Sequence, residues 1–337
     1  MTVSVDLPPD AYETEDAAEA IQGRSLSAIA WSRFRRDRVG MVALGVLIFL
    51  LVCAIAAPLI NHLVGVDPFE LVPEALDGEN GGVPLGCGLP DSGFFCGITW
   101  AHPFGVEPGT GRDLFARLLY GLRISLVIAF TATFLTTVLG TVFGIISGYL
   151  GGLWDGVISR TMDIILAFPF LLIILALSGV ITQRLESLGL EDNTARLVYL
   201  ILVFSIFGWP YLARIVRGQV LSVREREFVE ASVAMGAGTR RILFREILPN
   251  LWAPIMIYAT LTLPTYIATE AVLAFLGVGV LPPTPTFGAI LADSVNYRSI
   301  IPSYLFIPGT LLAIVVVTFN LVGDSARDAL DPRAGRS

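Results

Sequence analysis

The chain has 337 residues, 54% of them hydrophobic and 15% charged, with a mean hydropathy of +0.73 and a net charge of −7. Soluble domains carry about 25% charged residues, so this composition suits lipid better than water. All 22 basic residues are arginine, which excludes a nucleotide-binding loop built on a lysine and Schiff-base chemistry on lysine.

Residues 1–26 hold Asp6, Asp10, Glu13, Glu15, Asp16 and Glu19 ahead of the first basic residue, Arg24. They read as an acidic disordered tail and not as the basic start of a signal peptide. A helix needs about 20 apolar residues to cross roughly 30 Å of hydrocarbon. Six stretches qualify: 40–60, 124–149, 161–181, 197–215, 252–278 and 304–323. None alternates with period two, so the expected fold is an all-α membrane protein with six transmembrane helices. Arg24, Arg33, Arg35, Arg36 and Arg38 crowd the approach to the first stretch. With that approach inside, 16 arginines lie inside and six outside, so both termini are expected in the cytoplasm. Arg112, Arg117 and Arg123 crowd one outside approach and run against this trend.

The outside segment 62–120 contains GENGGVPLGCGLPDSGFFCG at 78–97, a run of turn formers. Cys87 and Cys96 fall on the oxidising side; they either close a short disulfide loop that offsets its lack of a core, or stand as free thiols. Their spacing with His62 and His102 is irregular, and no metal site is assigned. Cys53, inside the first stretch, reads as a small apolar residue. In the second stretch Gly140, Gly144 and Gly148 share one helix face and admit a close neighbour, either another subunit or a helix of the same chain. Asp163 can pair with Arg160 at i−3. Glu270, 18 residues into the fifth stretch, is read either as a pathway residue or as packing. Pro169, Pro210, Pro264 and Pro308 are expected to kink their helices.

Residues 224–250 interrupt this pattern with REREFVEASVAMGAGTRRILFREILPN. Phe228, Ala231, Ser232 and Met235 recur at helical spacing and give a modestly apolar face, flanked by Arg224, Arg226, Glu227 and Glu230. Gly236 and Gly238 should end that helix. Thr239 should cap a second one through Arg240, Arg241, Phe244 and Arg245, and Pro249 should end it. A cytoplasmic knob of two short helices with an apolar face suits docking against another protein. A solvated linker needs neither the face nor the turn.

Glu230-Ala231-Ser232, Gly236 and Leu248-Pro249 together resemble the EAA loop of ABC import permeases of type I. Ser232 stands where that family usually has alanine, and Glu246 where an isoleucine is usual. WSRFRRDRVGMVALGVLIFLLV (31–52) and GTGRDLFARLLYGLRISL (109–126) are similar to the C-type subunits for dipeptides, oligopeptides and nickel. So are EAVLAFLGVGVLPPTPTFGAIL (270–291) and FNLVGDSARDALDPR (319–333). Val106-Glu107 replaces that branch's usual Thr-Asp. The resemblance runs from about 27 to 333 and leaves out the acidic tail and the 62–100 insertion.

The resemblance implies 27–61 as an N-terminal segment with the first span, 62–120 as an extracytoplasmic loop, 121–324 as the permease domain and 325–337 as a cytoplasmic tail. It implies a multi-pass subunit of the bacterial cell membrane with no catalytic, cofactor or metal site of its own. ATP and Mg²⁺ would sit on two partner ATPase subunits. A second permease chain would complete a heterodimer, and an extracytoplasmic solute-binding protein would deliver cargo; no nucleic acid is involved. Arg226, Glu227, Phe228, Glu230, Ala231, Ser232, Met235, Gly236, Arg240, Leu248 and Pro249 would form the ATPase-coupling loop. Di- or oligopeptide cargo is expected, with nickel as the alternative. An ion-coupled secondary transporter would leave the knob unexplained. A membrane-embedded enzyme would have little chemistry available, with two histidines and no H-E-x-x-H.

Overall fold

The computed structural model describes residues 26–79, 81–87 and 93–330. Most of the expected acidic tail, residues 1–25, and the end of the C-terminal tail, 331–337, lie outside the described residues. In chain order the elements are α1 (Leu26–Phe34), α2 (Arg38–Val64), β1 (Leu76–Asp77), β2 (Val83–Pro84), α3 (Leu114–Leu150) and α4 (Gly152–Ala167). There follow α5 (Phe170–Ser187), α6 (Asp192–Val223), α7 (Glu227–Ala234), α8 (Thr239–Arg241), α9 (Trp252–Phe275), α10 (Phe287–Tyr297) and α11 (Pro302–Leu330). A wide π turn, Ile242–Ile247, and a tight 3-10 turn, Leu248–Leu251, join α8 to α9. β1 and β2 form a minimal antiparallel pair, Leu76 opposite Pro84 and Asp77 opposite Val83.

Among the described residues six helical runs are long and apolar enough to cross a membrane: 38–64, 114–150, 170–187, 192–223, 239–275 and 302–330. Local chemistry sets their ends. The carboxylate of Asp37 caps α2 by accepting from the Val39 amide at 3.0 Å, and Gly65 closes it at φ +80°. Asp113 caps α3 by accepting from the Ala116 amide at 2.8 Å. The third span starts later than the apolar run suggests. Pro169 lacks an N–H and pushes Phe168 into extended backbone, so α4 ends at Ala167 and α5 begins separately. Pro169 therefore breaks the helix, whereas Pro210, Pro264 and Pro308 lie inside theirs.

The α3–α6 pair is the centre of the molecule. Gly140, Gly144 and Gly148 of α3 meet Leu212, Val216 and Val220 of α6 in register, so the two helices run parallel. A Cβ on these glycines would fall 2.8, 2.7 and 2.8 Å from those side chains. The glycine stripe thus serves packing within this chain. Parallel neighbours need a return crossing, and α4 with α5 supplies it. The main core fills the space among α2, α3, α6, α9 and α11, with Leu118, Ile128, Tyr199, Phe204 and Val315 fully buried. A second cluster sits where α6 ends: Val220, Val223, Val229, Ile242, Ile247 and Leu251.

Gly144→Ala forces carbon into this contact and is expected to destabilise by about 1–3 kcal/mol. Gly156→Ala on α4, where a Cβ has open space, should be neutral or slightly stabilising. Thermal unfolding of the two purified variants checks the difference.

Candidate functional site

The knob begins at Arg226, whose extended backbone starts α7, with Glu227 and Glu230 in the first turn where the helix dipole favours acids. Val229 and Ser232, three apart, are buried beneath it, Val229 in the cluster with Ile242 and Ile247. Phe228, Ala231, Val233 and Met235 are exposed; Met235 keeps 79% of its surface. The apolar face therefore divides: Ser232 anchors, while Phe228, Ala231 and Met235 face outward. Gly236 closes α7 at φ +79°. Its N–H donates to Val233 O at 2.9 Å and the Ala237 N–H donates to Ser232 O at 3.0 Å, the paired bonds of a Schellman turn.

The second half of the knob departs from expectation. Gly238, not Thr239, holds the cap position of α8, without a side-chain bond. Pro249 does not end the helix. It falls at the start of the 3-10 turn, and the π turn before it absorbs the mismatch, so the chain stays helical from Thr239 to Phe275. The Asn250 side chain donates to Glu246 O at 2.6 Å, satisfying a carbonyl that this irregular stretch would leave open. Glu246 thus sits at the junction through its backbone carbonyl; nothing in the structure explains its side chain there. Leu248 is half-buried against the cluster. Arg240, Arg241, Phe244 and Arg245 rim an exposed depression beside Gly238.

Between α4, α5, α6 and α9 lies a groove of ≈ 630 Å³. Its lining is aromatic and aliphatic, with Phe168, Phe170 and Tyr211 opposite Thr262, Thr265 and Thr269 of α9; none of the described lining residues is charged. The three threonines stack on one face of α9 and donate back to the carbonyls of Tyr258, Leu261 and Thr265 at 2.8, 3.0 and 2.7 Å. Their spacing was visible in the sequence. The junction behind them was not: Tyr266 OH donates to Phe204 O at 2.9 Å and lies 2.9 Å from Thr136 Oγ1, tying α9 to α6 and α3. Glu270 is one position beyond Thr269 but points away from the groove. It is fully buried, and its Oε2 accepts from Ser125 Oγ of α3 at 3.1 Å.

The wall formed by α4 is held by charge. Asp155 accepts from Arg217 Nε and Nη2 of α6 at 2.6 and 2.8 Å, and from the Ser147 and Ser159 hydroxyls. The Arg217 guanidinium, followed by the hydroxyl bonds, holds the Asp155 carboxyl well below the usual carboxylate range. Asp163 pairs with Arg214 of α6 and not with Arg160, because α4 lies against α6 and the cross-helix partner is within reach.

The opposite end carries a buried ionic cluster. Arg117 is 1% exposed; it donates to the carbonyls of Pro68 and Pro283 at 3.2 and 3.0 Å and lies 3.4 Å from Glu107. Glu107 also meets Arg112 at 3.6 Å and accepts from the Thr110 hydroxyl, and the Tyr304 hydroxyl oxygen lies 3.3 Å from it. Tyr304 of α11 donates to Asp293 of α10 at 2.8 Å. Burial pushes the Asp293 carboxyl up. Arg112 and Arg117 run against the arginine trend because they are internal cross-links, not surface charges. Cys87 and Cys96 are joined by a disulfide, and His102 meets Asp113 at 2.8 Å.

The family described as "Binding-protein-dependent transport system inner membrane component" matches residues 140–336, and "N-terminal TM domain of oligopeptide transport permease C" matches 25–70. The chain is 35% identical to the oligopeptide transport system permease protein OppC of Bacillus subtilis, over 97% of this chain and 98% of that one. It is 36% identical to the dipeptide permease DppC of Alkalihalophilus pseudofirmus, over 69% and 72%. It is 37% identical to the glutathione permease GsiD of Salmonella typhimurium, over 90% and 89%. The inward-facing MetNI methionine ABC transporter shares the fold at a TM-score of 0.52, with 22% identity over 64% of this chain and 96% of that one.

Asp155 yields a pH prediction. Its folded pKa is depressed, so its contribution to stability is complete above the unfolded value of about 3.9 and is lost as pH falls through the folded value. Asp155→Asn should lower the melting temperature at pH 7, and the gap to the parent chain should narrow below about pH 4. Melting curves across pH check this.

Proposed function

The chain belongs to the binding-protein-dependent transport inner-membrane family, in the branch of the oligopeptide and dipeptide permease C subunits, and from that premise we propose how it works. It is a transport subunit of the membrane that pairs with a second permease chain to enclose a path for di- or oligopeptides. Two separate ATPase subunits hold ATP and Mg²⁺, and a solute-binding protein presents cargo at the disulfide-bearing face. The arginine-rich face is cytoplasmic, as are both termini. The permease domain comprises 121–324, with 27–61 and the 62–120 loop as additions to it.

One observation carries the coupling reading: a rigidly seated helix, α7, turns Phe228, Ala231 and Met235 outward while its chain continues through α8 and the π turn into α9. Val229 and Ser232 hold α7 on the body, so a push on its outer face moves α9 and does not bend the loop. Glu227, Glu230, Arg226 and Arg240 surround the apolar patch and would set the angle at which the ATPase seats. The groove wall of α9 then moves with the knob, which is the hinge-type motion of an alternating-access importer. An uncharged groove lined by rings and hydroxyls suits peptides of varied sequence, since it favours no side-chain charge. It has no concentration of metal-ligand side chains to favour nickel.

Gly236→Pro removes the N–H bond and the positive φ of the turn. It should reduce ATPase-subunit copurification and peptide uptake by at least about tenfold. Glu230→Arg should do the same with less effect on folding. Normal copurification and uptake in both variants would refute the docking reading. Sidedness is read separately. A cysteine at exposed Met235 should react with an impermeant maleimide only in opened vesicles, and one at exposed Trp100 in sealed cells.

A further inference from the structure

Glu270 is the one fully buried carboxylate of α9, and groove and knob leave it unused. Its surroundings come from two other elements. Ser125 of α3 donates to Oε2, and the Ser125 hydroxyl also accepts from the Phe287 N–H of α10 at 3.4 Å. The Thr286 hydroxyl and Gly288 amide also face the carboxyl. Thr286 caps α10 by accepting from Ala289 N at 3.1 Å, so the positive end of that helix is aimed at the carboxyl. Among the described residues Oε1 finds no hydrogen bond of ordinary geometry.

Backbone contact accompanies the polar one. A Cβ on Gly288 would lie 2.5 Å from Ala274 Cβ and 2.8 Å from Ala271 Cα, so α10 sits directly on the back of α9. Gly121 of α3 likewise admits the Thr286 backbone, 3.3 Å from a would-be Cβ. The far side of α10 is held to α11 by the bond from Tyr304 to Asp293.

We infer that Glu270 is a positioning residue, a clasp that through Ser125 of α3 fastens the start of α10 to α9, so that α9, α10 and this end of α3 travel as one body and knob motion reaches the face opposite the knob. The inference rests on the proposed coupling of α7 to an ATPase. A buried carboxyl with unequal satisfaction of its two oxygens costs stability wherever an apolar side chain would fill the space. Its presence here is accounted for by the donors it gathers from two other elements. Its neighbour Thr269 faces the groove on the other side of α9, so the helix presents one face to cargo and the other to the clasp.

The test uses the intact complex with its partner permease and ATPases. Spin labels on Val272→Cys of α9 and Asn296→Cys of α10, both exposed positions, are introduced in a Cys53→Ser background. The distance between them should stay constant between nucleotide-free and ATP-trapped states, and should broaden or become state-dependent in Glu270→Ala. Peptide uptake by Glu270→Ala should fall at least about tenfold with basal ATP hydrolysis retained, and Glu270→Gln, which still accepts from Ser125, should restore most of it. Ser125→Ala should follow Glu270→Ala in the same direction, as a milder lesion. A distance that changes with nucleotide in the parent chain, or uptake unaltered by Glu270→Ala, overturns the clasp. Loss of assembly in both Glu270→Ala and Ser125→Ala also overturns it, because the contact would then be a requirement of folding. Failure of the ATPases to copurify with the parent chain would instead refute the coupling reading beneath it.

Discussion

Everything else in this molecule depends on how closely α3 approaches α6. In hydrocarbon, burial of apolar surface gives little drive for helices to associate, so contact geometry and dispersion must hold them together. Three glycines on α3 let Leu212, Val216 and Val220 lie against bare backbone. The register of that contact shows the two helices to be parallel, and parallel helices require a return crossing. The return is built in two pieces, α4 and α5, because the chain takes extended backbone at Phe168 and Pro169. The gap that this break opens beside α6 and α9 is the groove.

The second constraint is the continuity of the chain from the knob to α9. A proline in a transmembrane approach would ordinarily mark an end. Here the π turn widens the helix ahead of Pro249, and the Asn250 side chain takes the Glu246 carbonyl, so the helical path is kept. The helical run 239–275 consequently joins places of different chemistry. Its start follows the turn at Gly236 that leads from α7, with exposed Phe228 and Met235; along its middle is a threonine-lined wall, and at the far end Glu270 lies among donors from α3 and α10. A helix transmits displacement because its hydrogen bonds are internal and short.

At the face opposite the knob, order comes from buried charge. The segment around 62–113 has little apolar surface to pack, and Arg117 supplies what a core would. Its guanidinium ties two backbone carbonyls distant in sequence to Glu107, and Tyr304 extends the network to α10. Each charge is expensive to bury alone, and the cluster persists because its members satisfy one another. The Glu107 side chain reaches both Arg112 and Arg117.

Much of this was legible in the sequence. Length and uniform apolarity determined six membrane helices, since backbone groups in lipid leave no other use for such runs. The alternation of charge, apolar spacing and glycine at 224–250 determined a knob with a bend at Gly236, since only a residue free at positive φ closes that turn. Other features depended on partners far apart in the chain. Whether the Gly140–Gly148 stripe faced its own chain was decided by α6, some 70 residues later. The partner of Asp163 was decided by which helix lay beside α4, and the direction of Glu270 by the rotation of α9 between α3 and the groove. Side-chain spacing defines the faces of a helix, but only packing decides what each face meets.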